Sequence, residues 1–149
     1  MSALEHIAHL VRRFVGSLSP REPTASDASW ARSHLLPSEA ALWEQMTVQD
    51  RRHSLLVARR FATLVGQPTR TQLAAGLLHD VGKSQSQLGT LGRVVATVVG
   101  PRTKRFRRYH DHERLGSEML RTAGSDPETL SLIDGTDRLS EVLRQADNV

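Results

Sequence analysis

The chain has 149 residues, with 20 lysines and arginines against 16 aspartates and glutamates, and no cysteine. That length suits one domain with a sizeable core; the missing cysteines exclude disulfides and thiolate metal sites and fit a reducing compartment, so the cytoplasm is the expected location. A formal charge of +4 favours anionic partners, phosphates of any size included, but two Trp, one Tyr and three Phe are few for the aromatic platforms of single-strand binders, which ranks nucleic acid below a small phosphate compound. No run of about 18 apolar residues occurs, and His6, His9, Arg12 and Arg13 interrupt the apolar start, which supports neither a signal peptide nor a membrane span.

Leu4, Ile7, Val11, Phe14, Val15 and Leu18 recur at helical steps and predict an amphipathic helix. Its polar face carries few cations, so packing on the core is favoured over lying on a membrane. Ser26 or Asp27 can cap a short helix through Trp30 to His34, and Pro37, Ser38 and Glu39 open another. Thr47, with Asp50 three residues on, caps a long helix carrying His53, Leu56, Val57, Phe61 and Leu64, which Gly66 and Pro68 stop. A helix from Thr71 contains small residues for close packing (Ala74, Ala75, Gly76) and runs into the stretch 77–83, LLHDVGK.

The apolar residues of 88–99 are β-branched but helically spaced, so that stretch is also expected as helix. A basic run follows at Arg102, Lys104, Arg105, Arg107 and Arg108. Three more helices are expected, at 110–123, at 127–133 behind a Ser125/Asp126 cap with Pro127 at its first position, and at 137–147 with Leu139, Val142, Leu143 and Ala146 inward. The chain therefore reads as all-α.

Chemistry concentrates at 77–83, where an apolar run ends in His79, Asp80, Gly82 and Lys83. Adjacent imidazole and carboxylate groups cannot share one face of an ideal helix, but they can converge at a helix end, where Gly82 is expected to release the backbone. Without thiolates, a divalent ion is held by imidazoles and carboxylates from separate helices, and His53 and Asp147 fit that demand. Taken singly each has a plainer reading: a histidine on an apolar face is more commonly a hydrogen-bonded core residue, and a carboxylate near a chain end is commonly solvated.

Taken together, Arg52-His53, then His79-Asp80-Val81-Gly82-Lys83, then His112-Glu113-x-x-Gly116, then Ala146-Asp147 resembles the HD superfamily of metal-dependent phosphohydrolases over residues 47–147. The resemblance implies an all-α HD-type bundle at 47–149, with residues 1–46 as a helical extension packed on it. It implies that His53, His79, Asp80 and Asp147 bind one divalent ion, with manganese, magnesium or iron favoured over zinc by the two carboxylates. It also implies Lys83 beside a substrate phosphate, Asp80 orienting the attacking water, and Glu113 as general acid or base. In two-metal members a histidine placed like His112 helps bind a second ion or a phosphate; His110 lies about 200° away on an ideal helix, so His112 is preferred. Those members also carry a histidine pair before the final aspartate and a Gly-Tyr-Pro extension. Residues 130–134 contain no histidine and the extension is absent, which argues against a second ion.

The expected function is hydrolysis of a phosphate ester, a nucleotide among the candidates, with Lys83, Arg102, Arg105 and His112 meeting the phosphate. Two alternatives remain. One is a catalytically silent metal- or nucleotide-binding regulatory module. The other is a nucleic-acid-binding module using the basic run 102–108, which could equally be a solvated loop face.

Overall fold

The structure is a computed structural model, and it describes residues 3–5, 7–8, 21–86 and 112–148. Among the described residues, 3–5 and 7–8 are helical, and from residue 21 on the α-helices are α1 (Ala25–Ser33), α2 (Pro37–Glu44), α3 (Val48–Val65), α4 (Arg70–Leu78), α5 (His112–Thr122), α6 (Pro127–Asp134) and α7 (Ser140–Asp147). A 3₁₀ helix, Val81–Ser86, follows α4. The fold is all-α, with no strand among the described residues, and no described helix is long and apolar enough to cross a membrane.

α4 is the axis of the bundle. Every residue from Leu73 to Leu78 is buried, because this helix is apolar all round and the small side chains of Ala74, Ala75 and Gly76 admit close neighbours. α3 covers one flank and α6 another, while α7 packs on α3. Trp43, Leu55, Leu77, Leu78, Val81 and Leu120 form one buried cluster. Val57, Phe61, Ala75, Leu132, Leu143 and Ala146 form a second, which seats α7.

The helix ends explain most differences from expectation. α1 is capped by Thr24, whose hydroxyl accepts from the Asp27 amide at 3.0 Å, rather than by Ser26 or Asp27; the Asp27 carboxylate instead meets Arg59 of α3 at 2.6 Å. α3 starts as expected, with the Asp50 amide donating to Thr47 Oγ1 at 3.1 Å, and ends at Gly66, whose φ of 93° suits glycine. α4 begins at Arg70, before Thr71, because Thr69 and Gln72 cap each other's backbone amides. α7 begins at Ser140 rather than 137: the Asp137 carboxylate accepts from the Leu139 amide at 2.8 Å, and Ser140 Oγ accepts from the Asp137 amide at 3.1 Å, which holds 137–139 in a turn.

Leu4 and Ile7 are 80% and 56% exposed, so these two positions of the N-terminal helix do not pack on the core as expected. Val11, Phe14, Val15 and Leu18, the helix expected at 88–99, and His110 lie outside the described residues.

α1, α2 and the turns that follow them contribute Ala31, Leu35, Trp43 and Met46 to the main buried cluster. They are tied down by Glu39, a fully buried carboxylate. Its Oε1 accepts from the Leu36 amide at 2.8 Å and from Arg70 at 3.5 Å, and its Oε2 accepts from Ser125 Oγ at 2.7 Å. Arg70 also donates to the His34 carbonyl at 3.2 Å and pairs with Asp126. Removing this acceptor leaves the buried Ser125 hydroxyl and the part-buried Leu36 amide without it and takes one of three acceptors from Arg70, so Glu39→Ala should lower the unfolding free energy in urea by about 3 kcal/mol. A loss within ordinary surface-mutant scatter would show that the network contributes nothing.

Candidate metal centre

Each candidate ligand owes its position to a different local cause. On α3 the helix start set by Thr47 fixes the phase, so Val57 and Phe61 turn fully inward while the His53 side chain stays 31% exposed at the edge. On α4 the helix stops at Leu78, and His79 follows at φ −59°, ψ −27°. The chain then tightens into the 3₁₀ helix, locked by the Lys83 amide donating to the Asp80 carbonyl at 3.0 Å and by Val81, which is fully buried. This tightening turns adjacent side chains to one pocket. The backbone is released by that switch and not by a left-handed Gly82, since the positive-φ glycines among the described residues are Gly66, Gly124 and Gly135. On α7, Leu143 and Ala146 are buried and carry Asp147 in beside them.

Four groups converge as a result. Potential ligand atoms of His53, His79, Asp80 and Asp147 all lie within 4.8 Å of one another. Asp147 Oδ1 is 2.7 Å from His53 Nε2 and 3.2 Å from His79 Nε2, while Asp80 Oδ2 is also 3.2 Å from His79 Nε2. The two imidazole centroids stand 5.8 Å apart. His79 Nδ1 lies 2.8 Å from the Gly76 carbonyl. A carbonyl only accepts, so Nδ1 carries the proton and Nε2 faces the pocket. Lys83 Nζ donates to Asp80 Oδ2 at 2.8 Å.

The pocket holds positive charge strongly. Burial of His79 works against its charged form, but hydrogen bonds and attraction from Asp147 and Asp80 outweigh it and push its pKa up to about 10. Burial likewise opposes ionisation of Asp80, yet His79 and Lys83 hold that carboxyl well below the usual range. Hydrogen bonds from His53 and His79 do the same for Asp147 against a smaller burial penalty.

The residues fit a divalent ion. Two imidazole nitrogens and two carboxylates are a hard-to-borderline donor set. Ligand atoms at about 2.0–2.2 Å from one ion must lie within about 4.4 Å of one another, close to the observed spread. The exposure of His53 and Asp147 leaves one side of the centre open to solvent, while His79 and Asp80 form its buried wall.

The HD domain model matches residues 50–147, about two thirds of the chain, and its span takes in all four of these groups. The chain belongs to the HD domain family. HD domains bind divalent metals, and in this one the His/Asp group just described could hold such an ion. No curated protein and no solved structure matches the chain.

Other expected site residues are reached only in part. Lys83 is at the centre but engaged with Asp80. Arg102 and Arg105 lie outside the described residues, as do the side chains of His112 and Glu113. α5 itself crosses the 3₁₀ helix closely at Gly116, where a Cβ would come within 3.2 Å of the Gly82 nitrogen. The role of the Gly76 carbonyl went unforeseen. Its sequence signal was slight, a glycine three residues before the histidine.

The charge balance has a measurable consequence. The His79 pKa is raised above 6.5, so its contribution to stability is complete below about pH 6.5 and lost as pH rises through about 10. Asp80 and Asp147 are depressed below 3.8, so their contribution is present above that value and lost as pH falls through their lower folded values. The metal-free protein should therefore be most stable between roughly pH 4 and 6.5 and weaken towards pH 10. Metal uptake near neutrality must expel the His79 proton, so calorimetry in buffers of different ionisation enthalpy should show about one proton released per ion at pH 7.5. Uptake without proton release would contradict the arrangement.

Proposed function

We propose that this HD domain is a metal-dependent phosphohydrolase acting on a small phosphate ester, with nucleotides among the candidate substrates. The observation that carries the reading is the convergence of His53, His79, Asp80 and Asp147, drawn from three separate parts of the chain, with Lys83 beside them. These four residues would hold one divalent ion, with manganese, magnesium or iron favoured over zinc because half the donors are carboxylates. Such an ion, when bound, lowers the pKa of water and polarises a phosphoryl oxygen.

The rest of the proposed work falls to the chain. The Gly76 carbonyl holds the His79 ring with Nε2 inward, so no reorientation is needed at the moment of reaction. Asp80 accepts a hydrogen bond from the attacking water and directs it. Lys83 Nζ, a compact cation on a flexible stem, leaves Asp80 to meet the phosphate as its charge grows. His112, Arg102 and Arg105 would add phosphate contacts, and Glu113 would exchange a proton with the leaving group. Support for those four rests on their place in the sequence next to α5, whose Gly116 packs against Gly82.

The test is phosphate release from a panel of nucleotides, p-nitrophenyl phosphate and bis(p-nitrophenyl) phosphate, with manganese or with chelator. Turnover with manganese should fall by about 10²–10³-fold in His79→Ala and in Asp80→Ala, both of which should also lose bound metal. Undiminished turnover in chelator, or in either variant, would refute the proposal. Metal uptake with no turnover on any substrate would favour a silent binding module.

A further inference from the structure

We infer that Gly76 is a positioning residue for the metal centre: its bare α-carbon sets the separation of α3 and α4, and its carbonyl aims the His79 ring. The inference rests on the metal-site reading proposed above. A Cβ built on Gly76 would lie 2.9 Å from the Ala58 α-carbon and 3.1 Å from the Ala58 Cβ. The obstacle is the backbone of α3, which cannot rotate aside as the end of a long side chain can. Relief therefore requires the two helices to move apart. Glycine is the poorer helix former, and what it supplies within α4 is this close approach.

The consequence reaches the ligands because of where the contact falls. α3 and α4 are joined by residues 66–69 and run back along each other. His53 precedes Ala58 by five residues and His79 follows Gly76 by three, so both histidines lie beyond the contact from the connecting loop. At about 1.5 Å per residue each stands roughly 5–8 Å past it. The loop end is held by the four-residue connection itself, so a wedge between Gly76 and Ala58 opens the far end, where the imidazole centroids stand 5.8 Å apart. The Gly76 carbonyl, 2.8 Å from His79 Nδ1, fixes the ring to the same helix, so the ring moves with α4 when the helix is displaced. One residue thus governs both the spacing of the histidines and the aim of one of them.

The experiment compares Mn(II) affinity, by titration calorimetry on metal-stripped full-length protein, with helicity and melting followed in parallel. Wild type should bind one Mn(II), and Gly76→Ala should bind it about 10- to 100-fold more weakly while remaining helical. Adding Ala58→Gly to Gly76→Ala should restore part of the loss. Ala74→Gly, on the same buried helix but in the main cluster rather than the one that seats α7, loosens α4 without wedging it and should keep its Mn(II) affinity within about threefold of wild type.

Gly76→Ala binding Mn(II) like wild type, or Ala74→Gly losing as much as Gly76→Ala, would overturn the positioning role. Should Gly76→Ala fail to fold, Ala58→Ser is a milder wedge from the opposite helix, and full Mn(II) affinity in that variant would overturn the role equally. Wild type that takes up no Mn(II) would instead refute the metal-site reading, and this inference with it.

Discussion

Asp80 and Asp147 direct their carboxylates at one imidazole nitrogen, His79 Nε2, at 3.2 Å each. Two like charges confined this way are unfavourable unless a cation lies between them, and in the metal-free protein the cation is the His79 proton. Much of the fold can be read as the means of holding that arrangement. α4 must end at Leu78 so that His79 and Asp80 turn together, α3 must lie close enough to present His53, and α7 must dock to bring Asp147. A shift of His79 away from Asp80 would leave that buried carboxylate with Lys83 as its partner.

The burial pattern follows from that demand. His79 and Asp80 sit at the end of the most buried helix of the bundle, where desolvation strengthens every electrostatic interaction they make. His53 and Asp147, from helices on the outside, complete the group on its open face. The division gives the centre a buried floor and an accessible side. Leu143 and Ala146 seat α7, and with it Asp147, against Val57, Phe61 and Ala75.

How much of this could be read beforehand depended on how local the cause was. The α3, α5 and α6 helices and the inward face of α7 were legible from spacing, because that signal lies within the element it specifies; the side-chain cap expected of Ser125 or Asp126 is not made, since Ser125 bonds Glu39 and Asp126 pairs with Arg70. LLHDVGK was legible as half of a ligand set, and the Ala146-Asp147 ending as its distant partner. The turn at Asp80 was assigned to Gly82, whereas it is made by the 3₁₀ helix that contains that glycine, and such a switch carries no single-residue signature. Glu39 was legible only as an ordinary first-turn glutamate. Its partner Ser125 lies 86 residues away, and only the tertiary fold makes it a buried acceptor. Gly76 was visible as a small residue suited to packing, but that the packing partner is the backbone of the helix bearing His53 is a property of the assembled pair.

The central claim is that His53, His79, Asp80 and Asp147 share one ion. Crystals grown with Mn(II), examined by anomalous diffraction, test it most directly. The account requires a single strong peak about 2.0–2.4 Å from one nitrogen each of His53 and His79 and one oxygen each of Asp80 and Asp147. A peak elsewhere, with the direct contacts of Asp147 to His53 and His79 still in place, would contradict it.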